Sequence, residues 1–273
     1  MKKTLLLSVI ASLSLAATIM PYTSYMTYNN STKDKAYLAG MYMSDFKSPF
    51  KYEIDLEGLK LKYKNKYNIA DYNERDLTFV LNYFRGYNYI YKFGIHNIFI
   101  DQSGSNDTYD KVLFTNFLYY KYLKYNVGAS YYFGSYDGFN TNQVTLKGGY
   151  NFGNYYSKIG SFYTELKANF IKISDKNKAY TNKDNYQNFD IKLQNFNGAW
   201  TTTLKYSTGK NAYKVANNGF VVYNLGSEYK SVEGIDINYK FAKTNNIKID
   251  FSHSSFDTDS SSNSYLLSYA KSF

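Results

Sequence analysis

The stretch Trp200-Thr201-Thr202-Thr203-Leu204-Lys205-Tyr206-Ser207 puts Trp200, Thr202, Leu204 and Tyr206 on one face of an extended chain and Thr201, Thr203, Lys205 and Ser207 on the other. Farther on, Ile235, Ile237, Tyr239 and Phe241 alternate in the same way with Asp236, Asn238 and Lys240. A period of two marks a strand with one apolar and one polar face. The pattern recurs in Leu77, Phe79, Leu81 and Tyr83, in Leu123, Tyr125, Val127, Ala129, Tyr131 and Phe133, and in Phe189, Ile191 and Leu193. Between Phe50 and Lys64 the apolar phase slips near Glu57-Gly58, which predicts a β-bulge at the glycine.

Composition agrees with strands throughout. The 273 residues include 34 Tyr and 20 Phe but only two prolines, Pro21 and Pro49, and aromatic residues favour the pleated sheet. Mean hydropathy is −0.50, as expected where every apolar residue is followed by a polar one. There is no cysteine, which removes a disulfide framework and a thiol nucleophile. His96 and His253 are too far apart in sequence to suggest a metal-ligand cluster, and no cofactor is expected. The net charge of +10 comes from singly scattered lysines, with arginine only at 75 and 85, so no nucleic-acid partner is expected.

The N-terminus reads as a secretory signal peptide over residues 1–17, leaving one β-domain over 18–273. Lys2 and Lys3 precede an apolar run from Leu5 to Leu15, and Ser14-Leu15-Ala16 supplies a small-x-small cleavage site. Strands are expected near 18–28, 36–44, 50–64, 74–84, 88–101, 110–121, 123–135, 141–152, 160–173, 187–196, 198–207, 232–242, 245–253 and 263–273. Connections near 29–35, 65–73, 102–109, 136–140, 174–186, 208–231 and 254–262 are mostly long and polar, whereas those between them are short. The expected fold is all-β, a transmembrane antiparallel up-and-down barrel of about fourteen strands, with long loops outside the cell and both termini in the periplasm. Twelve strands would result if the first two segments were lead-in. Sixteen would result if 208–231 hid a hairpin, since Phe220-Val221-Val222-Tyr223 has strand character. We read that segment as a loop, either folded into the barrel or extended above the rim.

The last strand, Tyr265-Leu266-Leu267-Ser268-Tyr269-Ala270-Lys271-Ser272-Phe273, resembles the C-terminus of Gram-negative outer-membrane proteins. Tyr265, Leu267, Tyr269 and Phe273 match that family's assembly signal, read by the barrel-assembly machinery, while Lys271 stands where the family has an aromatic or apolar residue. The segment Gly234 to Phe273 is similar to the end of porins of the outer-membrane porin D type from Campylobacter-like bacteria. This resemblance implies residence in the cell outer membrane, contact with lipid and lipopolysaccharide, and a possible homo-oligomer.

It also implies a porin-like channel for passive diffusion of small polar solutes or ions, without covalent chemistry. Strand number supports it, because about eight strands can be filled by side chains whereas more leave a cavity unless a loop fills it. The polar faces assign Lys92, Lys124, Lys147, Lys167, Lys192, Lys205, Lys240 and Lys248 to the pore lining, against Glu165, Asp190, Asp236 and Asp250. This balance predicts weak anion preference. A closed structural or adhesion barrel is one alternative. Another is a phospholipase-type barrel enzyme, in which His253 and Ser255 share a strand face, Asn263 follows on the next strand, and Asp257 and Asp259 offer oxygens to calcium.

Phe273→Ser is expected to impair insertion and leave a periplasmic species that proteases degrade. Surface levels equal to wild type, measured by outer-membrane fractionation and immunoblotting, would contradict the assembly reading.

Overall fold

In hydrocarbon an unpaired strand edge has no water to satisfy it, so a sheet of half-apolar strands is stable there only when closed on itself. The computed structural model, which describes residues 18–102, 107–224 and 226–273, has that closure; the expected signal peptide lies outside the described residues. The strands are β1 (Thr18–Asn29), β2 (Lys33–Lys47), β3 (Phe50–Tyr63), β4 (Tyr72–Arg85), β5 (Tyr89–Gln102), β6 (Thr108–Lys121), β7 (Tyr125–Tyr136) and β8 (Phe139–Gly153). They continue with β9 (Ser161–Ile173), β10 (Asn185–Asn197), β11 (Trp200–Asn211), β12 (Val215–Ala216), β13 (Val221–Val222), β14 (Tyr229–Ala242), β15 (Asn245–Phe256) and β16 (Ser261–Ser272). Fourteen of them form a closed antiparallel barrel in sequence order, and β12 and β13 form a separate two-stranded ribbon. The seam pairs β1 with β16, from Thr18 opposite Ser272 to Asn29 opposite Ser261.

The outer surface is apolar and is rimmed by aromatic rings, a surface built for an outer membrane. At the end bearing the short turns, Phe50 meets Tyr83 at 5.4 Å, Tyr91 meets Phe117 at 5.3 Å, Tyr125 meets Tyr150 at 5.0 Å and Trp200 meets Tyr239 at 4.4 Å. At the other end Tyr25 meets Tyr37 at 5.3 Å, Phe99 meets Tyr109 at 4.9 Å and Phe251 meets Tyr265 at 5.3 Å. Each is a pair on neighbouring strands, the arrangement that stabilises a sheet through its side chains.

Two local expectations are corrected. No bulge occurs at Gly58, since the β3 register runs without a shift from Lys62 to Phe50 against β2 and from Leu61 to Phe50 against β4. The apolar phase slips because Leu61 faces inward and is fully buried in a small cluster with Ala36 and Tyr72. The expected strand 123–135 begins instead at Tyr125. Tyr122 and Leu123 have φ of 55° and 53° and form the turn, a backbone that Asn and Gly normally supply and that a Tyr-Leu pair does not announce.

The strand count fixes which loops share an end of the barrel. An epitope inserted beside the exposed Tyr180 should be reached by antibody on intact cells, while one at Gly198, in the turn between β10 and β11, should be reached only after permeabilisation. The opposite labelling would reverse the orientation.

Candidate functional site

Alternate residues of each strand face the interior, and the segment between β11 and β14 folds back into it rather than standing above the rim. Its ribbon pairs Val215 with Val222 and Ala216 with Val221. Gln143 on β8 holds the ribbon as a strand would. Its side-chain amide donates to the Val215 carbonyl at 2.8 Å, and its oxygen accepts from the Val215 N–H at 2.8 Å. Tyr213 packs on Tyr136 at 5.0 Å and on Phe139 at 4.9 Å, and its hydroxyl donates to the Ala179 carbonyl at 3.1 Å. At the tip, Gly219 has φ of 98°, and a Cβ there would lie 2.2 Å from the Phe114 ring. Only glycine can both adopt that backbone and approach that closely.

The same segment reaches the opposite wall. Phe220 meets Tyr42 of β2 at 5.8 Å, Asn224 donates to Glu74 of β4 at 2.6 Å, and Lys33 of β2 donates to Ser227 at 2.8 Å. Lys214 donates to Asp190 of β10 at 2.6 Å. Burial pulls the Lys214 ammonium down from the ordinary lysine value, and Asp190 opposes that shift. The loop therefore bridges the barrel, narrowing its interior at the end that bears the long loops.

Charged side chains occupy the interior at mid-height. Glu165 of β9 accepts from Lys167 at 3.1 Å and from Lys192 of β10 at 3.2 Å. Lys205 of β11 lies 2.6 Å from Asp236 of β14 and 2.5 Å from Asp250 of β15, and Lys248 is 3.4 Å from the same Asp236. Lys147 and Lys92 are half-buried on the inner faces of β8 and β5. Asp190 takes Lys214 of the loop, while Lys205 is held by two other carboxylates.

Two assigned residues lie elsewhere. Lys124 belongs to the turn before β7, with its ammonium 5.8 Å from the Tyr125 ring and 5.5 Å from the Tyr150 ring. These are rings of the outer girdle, so the late start of the strand moves this lysine out of the lining. Lys240 is exposed near the end of β14, at the mouth with the short turns.

The alternation also left a wall of carboxylates unassigned. Glu53, Asp55 and Glu57 on β3 and Glu74 and Asp76 on β4 face inward. Tyr22 donates to Asp55 at 3.0 Å and to Glu57 at 2.9 Å, Asn82 donates to Glu53 at 2.6 Å, and the Tyr72 hydroxyl donates to Glu74. His96 Nδ1 lies 2.7 Å from Thr78 Oγ1 in the same wall. The signal was present in Glu53-Ile54-Asp55-Leu56-Glu57, whose carboxylates share one strand face.

The enzymatic alternative is half assembled. His253 Nδ1 and Asn263 Oδ1 are 2.8 Å apart, yet among the described residues no hydrogen bond joins Ser255 to His253 and no acidic or histidine group has the geometry of a metal site. At the C-terminus Tyr265, Leu267 and Tyr269 are exposed on the outer face of β16, and Phe273 follows the strand with Lys271 at 4.9 Å from its ring.

The sequence matches no family model and no curated protein. Its fold is similar to solved outer-membrane barrels at low identity. The CymD monoaromatic hydrocarbon channel matches with a TM-score of 0.62 at 8% identity, over 94% of this chain and 89% of that one. The outer-membrane protein Omp33 of Acinetobacter baumannii gives 0.52 at 12% identity, over 95% and 99%. The COG4313 outer-membrane channel from Pseudomonas putida F1 gives 0.52 at 12%, over 94% and 96%.

Gln143→Leu keeps the side chain's bulk but strands the Val215 N–H and carbonyl, at a cost of ~1–3 kcal/mol for each buried group. The variant is expected to release the loop, seen as faster protease cleavage between 212 and 228, with little change in barrel unfolding temperature.

Proposed function

We propose that the chain forms a channel of the outer membrane for small polar solutes, narrowed at rest by the loop 212–228 and weakly selective for anions. The observation that carries this reading is unequal access to the two signs of charge inside the barrel. The lysine side chains at 167, 192, 205 and 248 are 27%, 31%, 42% and 34% exposed, whereas the carboxylates of Glu165, Asp236 and Asp250 are 12%, 8% and 20% exposed; only the pair at the loop runs the other way, with Lys214 6% and Asp190 25% exposed. On the acidic wall Glu53, Asp55 and Glu74 are buried beneath tyrosines, Asn82 and the loop. A passing solute therefore meets ammonium groups more than carboxylates, and fixed charge along a lumen sets ion preference. No step of covalent chemistry enters this reading. The outer-membrane barrels whose fold is similar include channels, which supports the same broad class.

A second reading takes the solute as hydrophobic. It is supported by the fold similarity to the CymD monoaromatic hydrocarbon channel and by the aromatic seat that Phe114, Tyr136 and Phe139 form for the loop and its Tyr213. The polar and charged band beneath that seat favours the first.

Reconstituted protein under a potassium chloride gradient is expected to give a small zero-current potential of the anion-selective sign, and Gln143→Leu to conduct more than wild type. Lys167→Gln combined with Lys192→Gln should move the potential toward cations. Silence of both wild type and the loop-released variant would favour a closed barrel. Conductance without an effect of the lysine pair would remove the charge argument.

A further inference from the structure

Deepening the channel reading, on which it rests, we propose that the barrel holds a binding site for a small oxyanion, formed by Lys147 and Lys167 on the wall and by the tip of the inserted loop. In the register Lys147 of β8 lies directly opposite Lys167 of β9. Like charges facing each other across neighbouring strands are destabilising, so the pair calls for a compensating anion. The nearby carboxylates are already committed. Glu165 is shared by Lys167 and Lys192, at 3.1 Å and 3.2 Å. Asp190 accepts from Lys214 at 2.6 Å, from Asn169 at 2.9 Å and from Asn188 at 3.2 Å. Among the described residues Lys147 has neither an ion-pair nor a hydrogen-bond partner, although it is half-buried.

Its position is built rather than incidental. Gly128 stands opposite Lys147 on β7, and a Cβ there would lie 2.7 Å from the lysine's Cε and 2.6 Å from the Phe117 carbonyl oxygen. The absent side chain is the space in which the lysine stem runs. Lys147 lines a recess shared with Ser130, Lys167 and Asp190 on the wall and with Ala216, Asn217 and Asn218 of the loop, with a cavity volume of about 30 Å³. Polar groups border it from several directions: the two lysines and Ser130 on the wall and Asn217 and Asn218 on the loop, while Asp190 on the same lining is already held by Lys214. An anion with several oxygens can accept from more than one of them, and ionised acceptors make the stronger hydrogen bonds. Because the loop supplies one side, an anion in the recess ties the docked loop to the wall. Occupancy and loop docking are therefore linked, each favouring the other.

The test is a calorimetric titration of inorganic phosphate into the full barrel in detergent at low ionic strength, beside planar-bilayer recording of the same preparation. Saturable binding is expected, weakened roughly tenfold or more in Lys147→Gln, as loss of one charge-assisted hydrogen bond implies. Lys240→Gln, at the mouth, should bind as wild type does. Phosphate should also protect the loop 212–228 from protease. Absence of saturable binding to wild type, or unchanged affinity in Lys147→Gln, overturns the site. Should that variant fail to fold, Lys167→Gln and the wild-type titration carry the decision. Phosphate binding by a barrel that is silent in bilayers would overturn the channel reading and keep the site. A conducting barrel that binds no phosphate would do the reverse.

Discussion

The closed hydrogen-bond ladder is the constraint from which everything else in this molecule follows. Each strand must pair on both sides, because in lipid an open edge leaves peptide groups with nothing to bond. Closure between β1 and β16 removes the last edge, and the period of two then divides every strand into a face for lipid and a face for the interior. A side chain's environment is thus decided by its parity within a strand. The aromatic girdles and the charged interior are two readings of one alternating sequence.

This is why the barrel was legible without coordinates. Parity is local, and the rows at 77–83, 200–207 and 235–241 show it within a few residues. Every barrel strand overlaps an expected segment, and the even count follows from alternating connection lengths. Legibility failed where a residue departs from its type's usual place. Leu61 is apolar but inward, so β3 looked bulged, and its three inward carboxylates were passed over with it. Tyr122 and Leu123 adopt a left-handed turn without a turn-forming residue, so the sequence pattern starts β7 two residues early and carries Lys124 into the lining.

The loop could not be read for a different reason. Its contacts are with strands far away in sequence: Val215 with Gln143, Gly219 with Phe114, Asn224 with Glu74. Nothing in 212–228 alone distinguishes a segment that docks inside a barrel from one that stands above it. The partners are single polar or aromatic residues on inner faces, where a polar residue is expected anyway. Tyrosine illustrates the ambiguity, since Tyr125 belongs to the outer girdle and Tyr136 to the loop's seat, and parity separates them only once the strand ends are known.

Filling the interior has an electrostatic consequence that strand number alone would not suggest. A wide barrel left open would bathe its lysines and carboxylates in electrolyte, where screening over about 8 Å would mute most of their effect. With the loop inside, the carboxylates of β3 and β4 lie under tyrosine hydroxyls and the loop's own Asn224, while the lysines of β8 to β11 keep part of their surface free. Carboxylates are thus concentrated and buried on β3 and β4, while on β9 to β15 both signs are interleaved and most of the lysines are the more exposed partners. Screening is weaker in the narrowed space, and Lys147 and Lys167 face each other there beneath the loop tip. The segment that narrows the interior therefore also sharpens the charge pattern of its lining.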